Sequence, residues 1–155
     1  MIVLYDGACS FCRVCLAGLL RWDRGHRLYP VEIQSSQGAL LLGDIAPSDR
    51  LLSAHLVTPD GIVLSGARAA PALFRQLRFG APLAFFCAVA MPLVAAAYYV
   101  LTRVRGPVGR RLPLAWCARA DWLIANRRRG IVPPTVARYS AYAGPRTVQQ
   151  RRSSS

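Results

Sequence analysis

Ile2-Val3-Leu4-Tyr5-Asp6-Gly7-Ala8-Cys9-Ser10-Phe11-Cys12 is the stretch whose reading decides the fold of this chain. Four apolar residues with strong β preference stop at Asp6-Gly7, which predicts a buried strand followed by a turn. Beyond the turn, Phe11, Cys12, Cys15, Leu16, Leu19, Leu20 and Trp22 recur at close to helical spacing, so a helix is expected over residues 10–22, with Gly25 shortly past its end. Cys9 and Cys12 are thereby delivered to a helix start. Backbone N–H groups there lack intrahelical partners and carry partial positive charge, so a cysteine so placed is expected to have its thiol pKa pulled down from about 8.5.

A Cys-x-x-Cys pair after a strand points to redox chemistry. Cys9, nearest the helix start and expected to be the most exposed thiol, reads as the attacking thiolate. Cys12, one turn later, reads as the resolving thiol that closes a disulfide and releases the partner. Asp6 lies three residues before Cys9. Its carboxylate could relay a proton from Cys12, or it could accept backbone N–H bonds in an Asp-Gly turn; spacing leaves both open. Cys15 extends the series to Cys-x-x-Cys-x-x-Cys, the start of some iron–sulfur runs, but position 19, where a fourth cysteine would stand, is Leu19. His26 and His55 lack zinc-ligand spacing. No metal and no bound cofactor is therefore expected, and Cys15, Cys87 and Cys117 read as small buried apolar residues.

Downstream, residues 28–33 read as a strand that Pro30 places at or near a sheet edge, and residues 35–42 as a short helix. Residues 54–58 and 62–64 are β-rich and flank Pro59-Asp60-Gly61, so they predict a hairpin. Residues 67–77 follow with helical spacing. The order strand, helix, strand, helix, hairpin, helix is that of a thioredoxin-like α/β core. Additional apolar helices at the C-terminal end complete the expected domain, residues 1–130 with helices across 82–129. Residues 131–155, with Pro133-Pro134, Gly144-Pro145 and a final Arg-Arg-Ser-Ser-Ser, are expected to form an irregular, partly disordered basic tail.

All 20 basic residues are arginine. Twelve of them stand against Asp121 alone from residue 81 onward, an asymmetry that attracts anionic partners. Residues 79–102 carry no charge, which is long enough to span a membrane. Pro82 and Pro92 interrupt the run, so two or three apolar helices folded against the sheet explain it as well, with Pro92 starting a new helix. The partners expected are a disulfide-containing or thiol substrate and, in the alternative reading, an anionic membrane touched peripherally through residues 79–102 and the arginines. Nucleic acid is set aside, because no recognition module accompanies the charge. The odd set of five cysteines, three of them crowded into seven positions, is a poor pattern for a secreted disulfide scaffold and places the protein in the cytoplasm.

Asp6-Gly7-Ala8-Cys9-Ser10-Phe11-Cys12 resembles the Asp-x-x-Cys-x-x-Cys signature of the DCC family of thiol-disulfide oxidoreductases, and all three signature residues are present. Asp60-Gly61 followed by Gly66-Ala67-Arg68-Ala69-Ala70 is similar to that family's hairpin leading into a helix. Trp122-Leu123-Ile124-Ala125-Asn126-Arg127 is similar to its C-terminal helix. The resemblance implies a thioredoxin-like fold, exchange chemistry at Cys9 and Cys12, and apolar helices between the hairpin and Asn126-Arg127. Two features depart from it. Cys15 lies outside the signature and could form an off-pathway disulfide with Cys12, and Ser53-Ala54 stand where thioredoxins carry the cis proline that shapes the substrate groove.

Overall fold

The computed structural model describes residues 1–129, and the tail expected over residues 131–155 lies outside the described residues. Strand β1 (Ile2–Tyr5) is buried along its whole length. Its alternation divides the core: Val3 and Tyr5 join Leu16, Leu20, Leu56 and Ile124 on one face, and Ile2 and Leu4 join Val31, Leu41 and Val57 on the other. A strand covered on both faces needs apolar residues at every position, which is why it reads as a continuous run.

Helix α1 (Ser10–Trp22) follows, then β2 (Tyr29–Glu32), α2 (Ser36–Leu41), β3 (His55–Val57) and β4 (Val63–Ser65). The sheet order is β2-β1-β3-β4. Strand β2 runs parallel to β1, while β3 is antiparallel to both β1 and β4. Pro30 stands in the edge strand as its missing N–H requires. Tyr29 N–H and Ile33 N–H donate to Met1 and Tyr5 carbonyls at 2.9 Å each, so these alternate residues face β1 and Pro30 faces the open side. The β3–β4 turn closes through Gly61 N–H to the Thr58 carbonyl, 3.0 Å, with Gly61 at a φ of 85° that glycine adopts without cost. Ser35 caps α2 by accepting the Gly38 N–H at 3.0 Å. Gly38 packs so closely that a Cβ there would lie 2.2 Å from the Glu32 carbonyl oxygen.

The helix expected over 67–77 begins instead as a 3-10 turn, Gly66–Ala69, before α3 (Ala70–Arg75). Pro71 has no N–H to give to the preceding turn, so the α pattern starts only there. The uncharged run divides into α4 (Ala81–Val89) and α5 (Met91–Arg111), bent by 97° at the break, with Pro92 in the first turn of α5 as anticipated. No single described helix is long and apolar enough to cross a membrane. The two helices differ from expectation in their support. They rest on α3, on the 3-10 turn and on α1 rather than on the sheet, because α1 and α3 already cover that face, and α5 buries no residue fully.

Helix α6 (Leu114–Arg129) packs along α1. Its last turn ties it down. Arg127 donates to the Asp23 carboxylate at 2.9 Å and to the Leu20 carbonyl at 2.7 Å, so one guanidinium satisfies both a buried acid and the carbonyl end of α1. Arg128 bonds Glu32 at 2.9 Å and the Tyr5 hydroxyl at 2.8 Å, joining the ends of β1 and β2. Desolvation, outweighing the neighbouring guanidinium, raises the Tyr5 pKa. His55 is a core residue, buried at 2% exposure; its Nε2 donates to the Arg50 carbonyl at 2.9 Å, which leaves Nδ1 to accept from Ser65 Oγ at 2.7 Å.

Asp23 keeps two backbone N–H donors, from Arg27 and Leu28, but among the described residues Arg127 supplies its only countercharge in direct contact. Arg127→Met is expected to destabilise the fold by about 3 kcal/mol, the scale of a buried carboxylate deprived of its ion-pair partner. Arg127→Lys, which keeps the charge but not the fork, should lose less. Urea denaturation of the three proteins checks both.

Candidate active site

Cys9 is the N-cap residue of α1, with extended backbone and its sulfur accepting the Cys12 N–H at 3.3 Å. Both thiols therefore stand in the first turn of the helix, and the Cys9 carbonyl takes the Arg13 N–H at 3.1 Å to begin the helical ladder. The turn before them is held by a side chain the sequence reading did not identify. Gln34 Oε1 accepts the Gly7 N–H at 3.1 Å, and Gln34 Nε2 donates to Asp6 Oδ1 at 2.6 Å. No spacing rule links positions 6 and 34; only the parallel pairing of β1 with β2 brings their ends together.

Asp6 fills the turn role and lies near the thiols as well. Its Oδ1 accepts the Ala8 N–H at 3.0 Å, and the residue lines the same cavity as Cys12. The two sulfurs differ in environment. Cys12 lines a narrow cavity of about 130 Å³. Burial, then the hydrogen bond to Cys9 and its charge, push the Cys12 thiol up to about 12, with Asp6 acting in the same direction and Arg105 opposing it. Cys12 thus keeps its proton at neutral pH. Cys9 opens instead onto a wider cleft of about 460 Å³.

Two expectations about the other cysteines divide. Cys87 and Cys117 are buried, as small apolar residues should be. Cys15 is not: it is the one exposed thiol among the five, so Cys9, which is half-buried, is not the most exposed. Six residues along α1 turn Cys15 about 120° from Cys9, to the margin where the Cys12 cavity meets solvent. Burial of its sulfur, then the charge of Cys9, raise the Cys15 pKa.

Helix α5 roofs the site. Tyr98, Leu101, Thr102 and Arg105 line the Cys12 cavity opposite α1, and Gly109 comes so close to α1 that a Cβ there would sit 3.3 Å from the Phe11 nitrogen. Ser53 and Ala54, at the position where thioredoxins carry their groove proline, form part of the cavity wall, and the Ala54 N–H donates to the Tyr98 hydroxyl at 2.8 Å. Desolvation raises the Tyr98 pKa above its ordinary value, so the phenol is a neutral partner in that bond. Its place was not readable from the sequence, because Tyr98 sits in an apolar run whose helices could have packed in several ways.

Residues 3–111 match a family model, that of the DCC1-like thiol-disulfide oxidoreductases. The chain belongs to this family. The DCC1-like match covers both thiols, the sheet, and α1 through α5, and it ends before α6 and Trp122–Arg127. The chain matches no curated protein and no solved structure. DCC1-like proteins are described as acting on thiols and disulfides in general, which accords with a Cys9–Cys12 pair at a helix start.

Alkylation should separate the thiols. Iodoacetamide at neutral pH is expected to label Cys9, on the open cleft, well before Cys12, with Cys12 labelled appreciably only as the pH rises toward 12. Time-resolved peptide mass spectrometry reads the order, and Cys12 reacting first would reverse the two thiols' environments.

Proposed function

We propose that the protein exchanges its Cys9–Cys12 dithiol with disulfide substrates, Cys9 attacking and Cys12 resolving. The observation that carries this is the asymmetry of the pair: one sulfur at the helix start facing an open cleft, the other half-buried in an apolar cavity and held protonated one turn along. Cys9 attacks a substrate sulfur, the substrate S–S bond breaks, and one thiol leaves with a proton. Cys12 then gives up its proton, attacks the Cys9 sulfur and expels the second thiol, so two electrons pass to the substrate and the Cys9–Cys12 disulfide remains. Asp6, beside Cys12, takes that proton. A Cys12 thiol raised to about 12 needs such a base before it can attack near neutral pH. The odd number of cysteines supports a reducing compartment, the cytoplasm.

Cys9→Ser should abolish reduction of a test disulfide, and Cys12→Ser should accumulate a mixed disulfide at Cys9, visible by intact mass. Asp6→Asn, which keeps an oxygen for the Ala8 N–H, should leave the first step in place and slow the second by roughly tenfold to a hundredfold. A mixed disulfide trapped on Cys12 instead would overturn the assignment.

A second reading, compatible with the first, is peripheral attachment to an anionic membrane. Its support is the bend between α4 and α5, where Phe85, Phe86, Val89 and Leu93 are exposed at the start of an arginine-rich half. The protein should co-sediment with vesicles containing anionic lipid and not with purely zwitterionic ones, and Phe85→Ser/Phe86→Ser should release it. Equal recovery with both vesicle types would sink this reading.

A further inference from the structure

The cleft that receives Cys9 is cationic and carries no countercharge beyond Asp6. Arg103, Arg105 and Arg110 of α5 line it. Among the described residues none of the three pairs with a carboxylate; Arg105 donates to the Leu51 carbonyl at 2.8 Å, and Arg103 lies over the Tyr99 ring at 4.8 Å. Arg103 and Arg110 are seven residues apart and share a helix face. Gly106 and Gly109 also line the cleft and put no side chain into it. The N-terminus of α1 adds its partial positive charge at the same place. Three like charges around an open space repel one another, and a bound anion relieves that repulsion.

Two further observations limit what can bind. The cleft, at about 460 Å³, falls within the size range of small-molecule sites. The backbone beside the thiols is also occupied: the Ala54 N–H just before β3, which an extended peptide would need in order to pair there, is held by Tyr98. A protein substrate would have to displace α5, whereas a small disulfide entering from the Cys9 side would not.

Resting on the exchange reading above, we propose that the substrate of Cys9 is a low-molecular-weight disulfide, or its thiol, whose carboxylates seat against Arg103 and Arg110 in the cleft above the helix start. A planar guanidinium fork matches a carboxylate with two parallel hydrogen bonds, so the acid groups fix the substrate while its sulfur meets Cys9. The electron balance is that of the two-step exchange: the carboxylated disulfide takes two electrons and two protons and leaves as two thiols, and the protein keeps the Cys9–Cys12 disulfide. With the carboxylated thiol as reductant the same steps run backward.

Three disulfides of one skeleton test this on the reduced full-length protein in single turnover: 3,3′-dithiodipropionate, bis(2-hydroxyethyl) disulfide and cystamine, which are anionic, neutral and cationic. Each rate is divided by that with free 2-mercaptoethanol to remove intrinsic reactivity. The anionic disulfide is expected to outrun the neutral one by about tenfold, the scale of two or three exposed ion pairs, and the cationic one by more. The preference should collapse in about 1 M salt, where screening acts within ~3 Å. Arg103→Gln/Arg110→Gln should cut the anionic-to-neutral ratio by about fivefold or more, whereas Arg119→Gln, on α6 outside the cleft, should keep it. Should the double variant not fold, the wild-type ratio and its salt dependence decide alone. Equal normalised rates for the three disulfides, or a ratio the cleft substitutions leave untouched, would overturn the proposal while exchange at Cys9 stands. Failure of the reduced protein to consume any of the three would remove the exchange reading and the proposal together.

Discussion

The carboxylate of Asp23, buried without exposed side-chain surface, is the constraint on which the placement of α1 depends. An ionised acid taken out of water is tolerated only when countercharge and hydrogen bonds surround it. Asp23 obtains both from elements far apart in sequence, accepting N–H bonds from Arg27 and Leu28 and a guanidinium from Arg127. The first two shape the chain's return into β2, and the third brings α6 down on the carbonyl end of α1. Arg128 repeats the device at the strand ends by joining Tyr5 to Glu32. Two adjacent arginines on one helix thus lock the C-terminal end of α1 and the ends of the two parallel strands.

The opposite end of α1 is held by softer means, and there the chemistry sits. The Asp6–Gln34 bond and the Gly7 N–H on the same amide hold the turn, the turn presents Cys9 as the helix cap, and one helical turn separates it from Cys12. What makes the two thiols unequal is α5. By lying across the start of α1 it encloses Cys12 in an apolar cavity while leaving Cys9 on a cleft lined by arginines. A pair symmetric in sequence becomes asymmetric through its cover. The same helix reaches the position of the missing groove proline, where Tyr98 takes the backbone N–H of Ala54.

Much of the core was legible from local rules. The doubly buried β1, the edge position imposed by Pro30, the hairpin at Pro59-Asp60-Gly61 and the helix restart at Pro92 each follow from torsion, hydrogen-bonding capacity or burial period within a few residues. The resemblance carried by Asp6, Cys9 and Cys12 agrees with the family to which the chain belongs. The local rules misjudged Cys15, whose apolar character says nothing about which way a neighbouring helix leans. They left residues 79–102 open between a membrane span and helices on the sheet, and could not show that α4 and α5 would rest on α1 and α3.

By itself, then, the sequence determined the order and type of the elements, the strand-to-helix junction, and the presence of two thiols in its first turn, because all of these depend on interactions between near neighbours along the chain. Only the tertiary structure decided that Gln34 steadies Asp6, that Arg127 answers Asp23 across more than a hundred residues, that Cys12 is desolvated, and that Arg103 and Arg110 line the same cleft as Cys9. Those facts depend on where packed elements cross. That placement is set by the burial of whole faces and the pairing of distant charges, neither of which leaves a periodic trace in the order of residues.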